Sequence, residues 1–260
     1  MRTRRAILLS VALLAPSPGR ASPDEPGSGP VVYHIDPRVD APVMIASALV
    51  IVIPALYSSR LIHPSCPCDP QAVNSFDRGA IGNHDDVADA VSSVTVGLML
   101  AAPPVADWAL LGPGKALTSD LVVYGEVLLV NGALVQIAKY AVQRPLPLTY
   151  AGDPELIQSP GGYRSFYSGH TATVVAALAT AAYTIRRRYG EQVWPWLVVA
   201  GVGASVGVER VASGRHFPTD VIAGAAAGLA VGLTLPWLHA SGPSLAAGPG
   251  GFGLSVSGRF

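Results

Sequence analysis

Six apolar runs, Ala41–Tyr57, Val87–Leu111, Leu121–Ala138, His170–Ile185, Val193–Val208 and Val221–Leu238, decide what this chain can become. Several reach the ~20 residues that ~30 Å of hydrocarbon requires, and the shorter ones fall near the lower limit. Inside a bilayer a helix satisfies its own backbone polar groups, so the runs predict an all-α, polytopic membrane helix bundle of about six spans. Charged residues make up only 13% of the 260, about half the share of an average soluble domain. Pro103-Pro104 in the second run predicts a kink or a break. The last run carries Ala223-Gly-Ala-Ala-Ala-Gly-Leu-Ala-Val-Gly232, the small residues that close helix packing in membranes favours.

Four parts follow from this layout. Residues 1–21 have the form of an export signal, with Arg2, Arg4 and Arg5 before the apolar Ala6–Ala15 and small residues at Gly19 and Ala21. Residues 22–40, rich in Pro, Gly and Asp, read as an extended linker. The helical core occupies residues 41–240, and a Gly-rich tail follows at 241–260, where alternating apolar residues suggest one loose or edge strand. Cys66 and Cys68 lie too close in sequence for easy disulfide geometry and are too few for a zinc site. Net charge is zero, without a basic face; this argues against a nucleic-acid partner.

Arg186-Arg-Arg188 is the one basic cluster among the core loops and marks its side as cytoplasmic. The starts of the fourth and sixth runs and the end of the fifth then face the periplasm. Six spans with this orientation need a cytoplasmic N-terminus, whereas a cleaved signal leaves it outside. Either the signal is retained or Ala41–Tyr57 stops short of crossing.

The chemistry-bearing residues gather at those periplasmic ends. Lys139-Tyr-Ala-Val-Gln-Arg-Pro145 leaves the third run with two cations. Ser165-Phe-Tyr-Ser-Gly-His-Thr171 opens the fourth, so Ser168 and Gly169 stand where a helix start leaves amides free for an anion, with His170 beside them. Arg210-Val-Ala-Ser-Gly-Arg-His-Phe-Pro-Thr-Asp220 turns between the last two runs. Pro218 suits the first position of a helix, which places Asp220 within reach of His216 to fix its tautomer. Lys139, Arg144 and Arg210 can balance a phosphoryl group without metal. Each stretch alone also reads as a cap or a snorkelling anchor; their meeting at one face points to function. His84-Asp-Asp86 and Asp77-Arg78 read as solvated loops, and Arg164 and Arg215 as supporting bases.

These three stretches resemble the signatures of the type-2 phosphatidic acid phosphatase and haloperoxidase superfamily: Lys-x6-Arg-Pro, Pro-Ser-Gly-His and Ser-Arg-x5-His-x3-Asp. Residues 139–220 match in order and spacing, with three departures: Leu146 where the first signature has Arg, Tyr167 for Pro, and Glu209 for Ser. The resemblance implies a phosphatase without metal or other cofactor, acting on a lipid phosphate substrate in the membrane. It implies His216 as nucleophile, Asp220 as its orienting carboxylate and His170 as general acid. Lys139, Arg144, Ser168, Gly169 and Arg210 would hold the phosphoryl oxygens, with Arg144 standing in for the cation missing at Leu146. A phosphatase of soluble esters, a vanadate-dependent haloperoxidase and a non-catalytic lipid carrier stay open as alternatives.

Overall fold

The computed structural model describes residues 30–241, 243–248 and 251–256; the signal-like residues 1–21 lie outside them. Six long helices form the body: α1 Pro37–Leu56, α2 Asp86–Leu111, α3 Lys115–Val142, α4 Gly169–Tyr189, α5 Trp194–Ala212 and α6 Pro218–Ser241. Each takes up one apolar run to within a residue and extends it at one end or both. Side chains set two of the starts, Asp36 accepting from the Arg38 amide at α1 and Asp85 from the Ala88 amide at α2. Five of these helices, all but α4, are long and apolar enough to cross a membrane. The chain is an all-helical, polytopic membrane protein apart from its C-terminal tail.

α4 is less apolar because it lies inside the bundle, packed against α2, α3, α5 and α6. Its hydroxyls are satisfied within: Thr180 Oγ1 donates to the Ala176 carbonyl at 2.8 Å, and Thr184 Oγ1 to the Thr180 carbonyl at 2.9 Å. The glycines of α6 set its closest neighbour. A Cβ on Gly224, Gly228 or Gly232 would stand 2.6, 2.2 or 2.6 Å from the carbonyl oxygens of Ser168, Ala172 and Ala176. Only glycine permits this backbone-to-backbone approach, and it brings the starts of α4 and α6 level with each other.

Several local expectations change. α2 runs unbroken through Pro103 and Pro104, as neighbouring helices allow in membranes. The described part of the expected linker is extended but docked: Tyr33 is 2% exposed, its Oη pairs with Thr184 Oγ1 at 2.7 Å, and the His34 amide donates to the His239 carbonyl at 3.1 Å. Residues 37–40 already belong to α1, which therefore begins at the end of the bundle where α4 and α6 finish. Cys66 and Cys68 are joined in a disulfide after all, because the turn at Pro67 brings their Cα atoms to 4.4 Å, the lower edge of what the bond accepts. The tail supplies its own partner strand: β1 Pro243–Gly248 and β2 Gly251–Val256 pair antiparallel.

Candidate active site

The polar ends of α3, α4, α5 and α6 meet at one end of the bundle. The Ser168 amide donates to the Asp220 carbonyl at 3.0 Å and the Ser165 amide to the Arg144 carbonyl at 2.9 Å. Lys139 Nζ donates to the Arg164 carbonyl, and a Cβ on Gly169 would lie 3.8 Å from Lys139 Cε. The three stretches singled out in the sequence are thus in mutual contact.

His216 sits between α5 and α6 and is 4% exposed. Its turn is closed by Arg210, whose carbonyl accepts from the amides of Arg215 and His216, both at 3.2 Å. Gly214 makes the reversal at φ +69°, in the left-handed region, with the Asn83 carbonyl too close for any side chain. His216 Nδ1 donates to the Ser165 carbonyl at 2.7 Å. A carbonyl can only accept, so the proton is on Nδ1 and the lone pair on Nε2. Burial, then the charges of Lys139 and Arg210, push its pKa well below the ordinary histidine value. The ring is neutral at neutral pH.

Asp220 does not hold this ring directly. Its Oδ2 lies 3.9 Å from His216 Nδ1, beyond hydrogen-bond reach. That oxygen accepts instead from Ser165 Oγ at 2.5 Å and from the Phe217 amide at 2.9 Å. The second bond is the reach-back of an N-terminal cap; the first fixes the residue whose carbonyl orients His216. Cap and orienting group are one carboxylate.

Arg144 is bound on all sides. Nη1 donates to Asp220 Oδ1 at 2.6 Å and Thr219 Oγ1 at 2.9 Å, Nη2 donates to Asp77 Oδ2 at 2.7 Å, and the guanidinium lies 4.0 Å over the Phe217 ring. Asp77, expected in a solvated loop, is fully buried. Its neighbour Arg78 turns away to the carbonyls of Gln71 and Val73. Asp77 also accepts from the Thr219 amide and hydroxyl at 3.0 and 2.6 Å. Burial raises its pKa, yet the bonds from Arg144, Thr219 and Asn74 outweigh this and hold the carboxyl below its ordinary value. His84 and Asp86 are exposed, as expected.

Arg210 Nη1 bonds Asp89 Oδ1, and Ser92 Oγ at 3.1 Å, while Arg215 Nη2 takes Asp89 Oδ2 at 2.9 Å. Asp89 escaped the sequence reading because it lies in the first turn of α2, where an acidic residue suits the helix dipole alone. Arg210 Nε and Arg164 Nε are both buried and without a hydrogen-bond partner. Arg164 Nη2 reaches Gln136 Oε1 at 2.5 Å, one turn before Lys139. At the start of α4, Ser168 makes no side-chain cap; its hydroxyl pairs with Thr171 Oγ1 at 3.0 Å. The first amides of α4 are left open to an anion. His170 Nε2 lies 3.2 Å from Ser93 Oγ. Leu146 is 6% exposed in a packed loop, its amide bonded to the Gly162 carbonyl at 2.8 Å.

Comparison with known proteins places this arrangement. The family model of the PAP2 superfamily matches residues 120–242. A lipid A 1-phosphatase of Porphyromonas gingivalis is 35% identical over 127 residues, 48% of this chain and 24% of that protein's length. The crystal structure of Aquifex aeolicus LpxE superposes with a TM-score of 0.45 at 20% identity, over 67% of this chain and 98% of the other. The first transmembrane PAP2 type phosphatidylglycerolphosphate phosphatase structure from Bacillus subtilis gives 0.45 at 17% identity, over 76% and 94%. The stretch from Asp120 to Gly242, which carries all the site residues expected from the sequence, is similar to the PAP2 superfamily.

Proposed function

We propose that this protein is a metal-independent phosphatase that hydrolyses a lipid phosphate or diphosphate at the periplasmic face of the inner membrane, through a phosphohistidine on His216. The observation that carries the reading is the buried, neutral His216, tied at Nδ1 to the Ser165 carbonyl and set among Lys139 and Arg210. Nε2 attacks phosphorus as the bond to the lipid oxygen breaks, and His170 protonates the leaving alkoxide. His170 then takes a proton from water, which displaces phosphate from His216. Lys139, Arg210 and the Gly169 amide stabilise the equatorial oxygens, where charge gathers in the transition state. Arg164, with its unpartnered Nε, makes up for the cation absent at Leu146.

In this reading Arg144 holds Asp220, and Asp220 holds Ser165, so both are positioning residues for His216. The carboxylates near the site are each occupied by a guanidinium, Asp77 and Asp220 by Arg144 and Asp89 by Arg210 and Arg215, which supports chemistry run by fixed cations. Arg186–Arg188 end α4 on the far side of the bundle, which supports a periplasmic site by charge bias. A site where spans end, at headgroup depth, suits a substrate anchored by its tails, and the similar Porphyromonas gingivalis protein is named for lipid A.

The test is phosphate release by purified protein in detergent with EDTA present. Substrates are lipid A, phosphatidic acid, phosphatidylglycerol phosphate, undecaprenyl diphosphate and p-nitrophenyl phosphate. Release from one or more lipids, well above the soluble ester, is expected. Preference for the soluble ester would move the substrate out of the bilayer, and no release from any would favour a non-catalytic carrier.

A further inference from the structure

Far from this site, Asp40 in the first turn of α1, Glu126 within α3 and His239 near the end of α6 converge on one point, with exposures of 6, 3 and 7%. His239 stands nineteen residues beyond Asp220 on α6, about 28 Å along the helix. We propose that these three side chains bind a divalent cation of the zinc type that fastens α1 to the bundle.

Two of the three donors have their other atom tied down. His239 Nδ1 donates to the Leu235 carbonyl at 2.9 Å, so in the neutral ring the lone pair is on Nε2, facing the carboxylates. Asp40 Oδ2 accepts from the Asp36 amide at 2.8 Å, which leaves Oδ1 for the cluster. Glu126 Oε2 is buried without a hydrogen bond. His239 Nε2 lies 3.1 Å from this oxygen and 3.5 Å from Asp40 Oδ1. A tetrahedral site with bonds of about 2.0–2.2 Å has edges of about 3.3–3.6 Å, close to both separations. The three donor atoms all lie within 4.8 Å of one another, so a small inward movement of one carboxylate closes the face.

Charge points the same way. Two buried carboxylates facing an imidazole lone pair repel one another, and a divalent cation neutralises them with a fourth position left for water. The rival arrangement is a protonated His239 bridging the carboxylates, which leaves the cluster negative inside the protein. One imidazole and two oxygens favour zinc or a similar borderline ion over calcium, which takes six or more oxygens.

The experiment uses untagged full-length protein in detergent, purified without chelator and assayed for bound metal by mass spectrometry. It is then stripped by dialysis and titrated with zinc chloride while thermal unfolding is followed. The wild type should take up one zinc per chain and gain about 5 °C or more in Tm. Glu126→Gln keeps the shape and a hydrogen-bond acceptor but is a poor metal ligand, and should lose both responses; Asp40→Asn is the second variant should the first fold badly. Turnover of lipid phosphate by the folded variants should stay at the wild-type rate, which separates this test from that of the phosphatase. No zinc uptake by the wild type, or the same uptake and Tm shift in both variants, would overturn the site and leave the protonated triad.

Discussion

The two ends of the bundle are built from the same ionisable side chains with opposite balance. At the His216 end, Lys139, Arg144, Arg164, Arg210 and Arg215 face Asp77, Asp89 and Asp220, two more cations than carboxylates. At the other end, Arg188 faces Asp107 and Asp120, and Asp40 and Glu126 surround His239. Counting only these groups inside the bundle, and leaving aside the solvent-facing Arg186 and Arg187, one end is short of an anion and the other of a cation. The glycine face of α6 makes this polarity possible, since it lets α4 and α6 start and finish at matched depths. A phosphoryl group of two negative charges completes the first end, as proposed above. Within that end, Arg144 and Arg210 also divide the work: the fork of one is filled by carboxylates, while the other keeps a buried N–H unpaired.

Breaking the comparison at its strongest point gives the largest effect. His216→Ala should lower kcat by about 10³-fold or more, because it removes the attacking atom. Arg188→Ala, at the other end, should leave the kcat of the folded enzyme unchanged. Arg210→Ala should lower kcat/KM by about 10²–10³-fold, the effect of losing one transition-state donor. Steady-state kinetics on the preferred lipid reads all three.

Arg144→Ala separates the two arginines. It leaves Asp77 and Asp220 buried without their cation, so it should cost about 3–5 kcal/mol of stability, seen in thermal or denaturant unfolding. Arg210→Ala should cost less stability and more turnover. The reverse ranking would make Arg144 the phosphate ligand that the sequence alone suggested.

Much of this was legible in the residues. All six helices were marked by their apolar runs, because only hydrocarbon or a deep core rewards such length. Lys139, His170, Arg210 and His216 were marked by ionisable groups at helix ends. What the sequence hid was partnership. Nothing local tells that Asp77 turns away from Arg78 to Arg144, or that Asp89 joins Arg210 across 121 positions of chain. The direct Asp220–His216 contact was the natural reading of i,i+4 spacing, yet the Ser165 carbonyl, brought in from a distant loop, occupies Nδ1 first. Cys66 and Cys68 were misread for a similar reason, since a tight turn at Pro67 set a distance that spacing alone did not.

The pH profile is the smallest and finest probe of the His216 environment. Its folded pKa is depressed, so the unfolded chain binds the extra proton first. Its contribution to stability is therefore full above about pH 6.5 and falls as pH drops below that. The acid limb of kcat/KM governed by His216 should likewise lie well below pH 6.5 in rate–pH measurements. A limb at the ordinary histidine value would mean that the ring is less buried, or the cations more distant, than described.

The most direct test of the central claim is to trap the intermediate. Protein mixed with lipid carrying a radiolabelled phosphate, then quenched in alkali within the first turnover, should hold label that survives base and is released by acid, the behaviour of a phosphoramidate. Peptide mapping should place it on His216, and His216→Ala should carry none. Label on another residue, or full lipid phosphatase turnover in His216→Ala, would contradict the account.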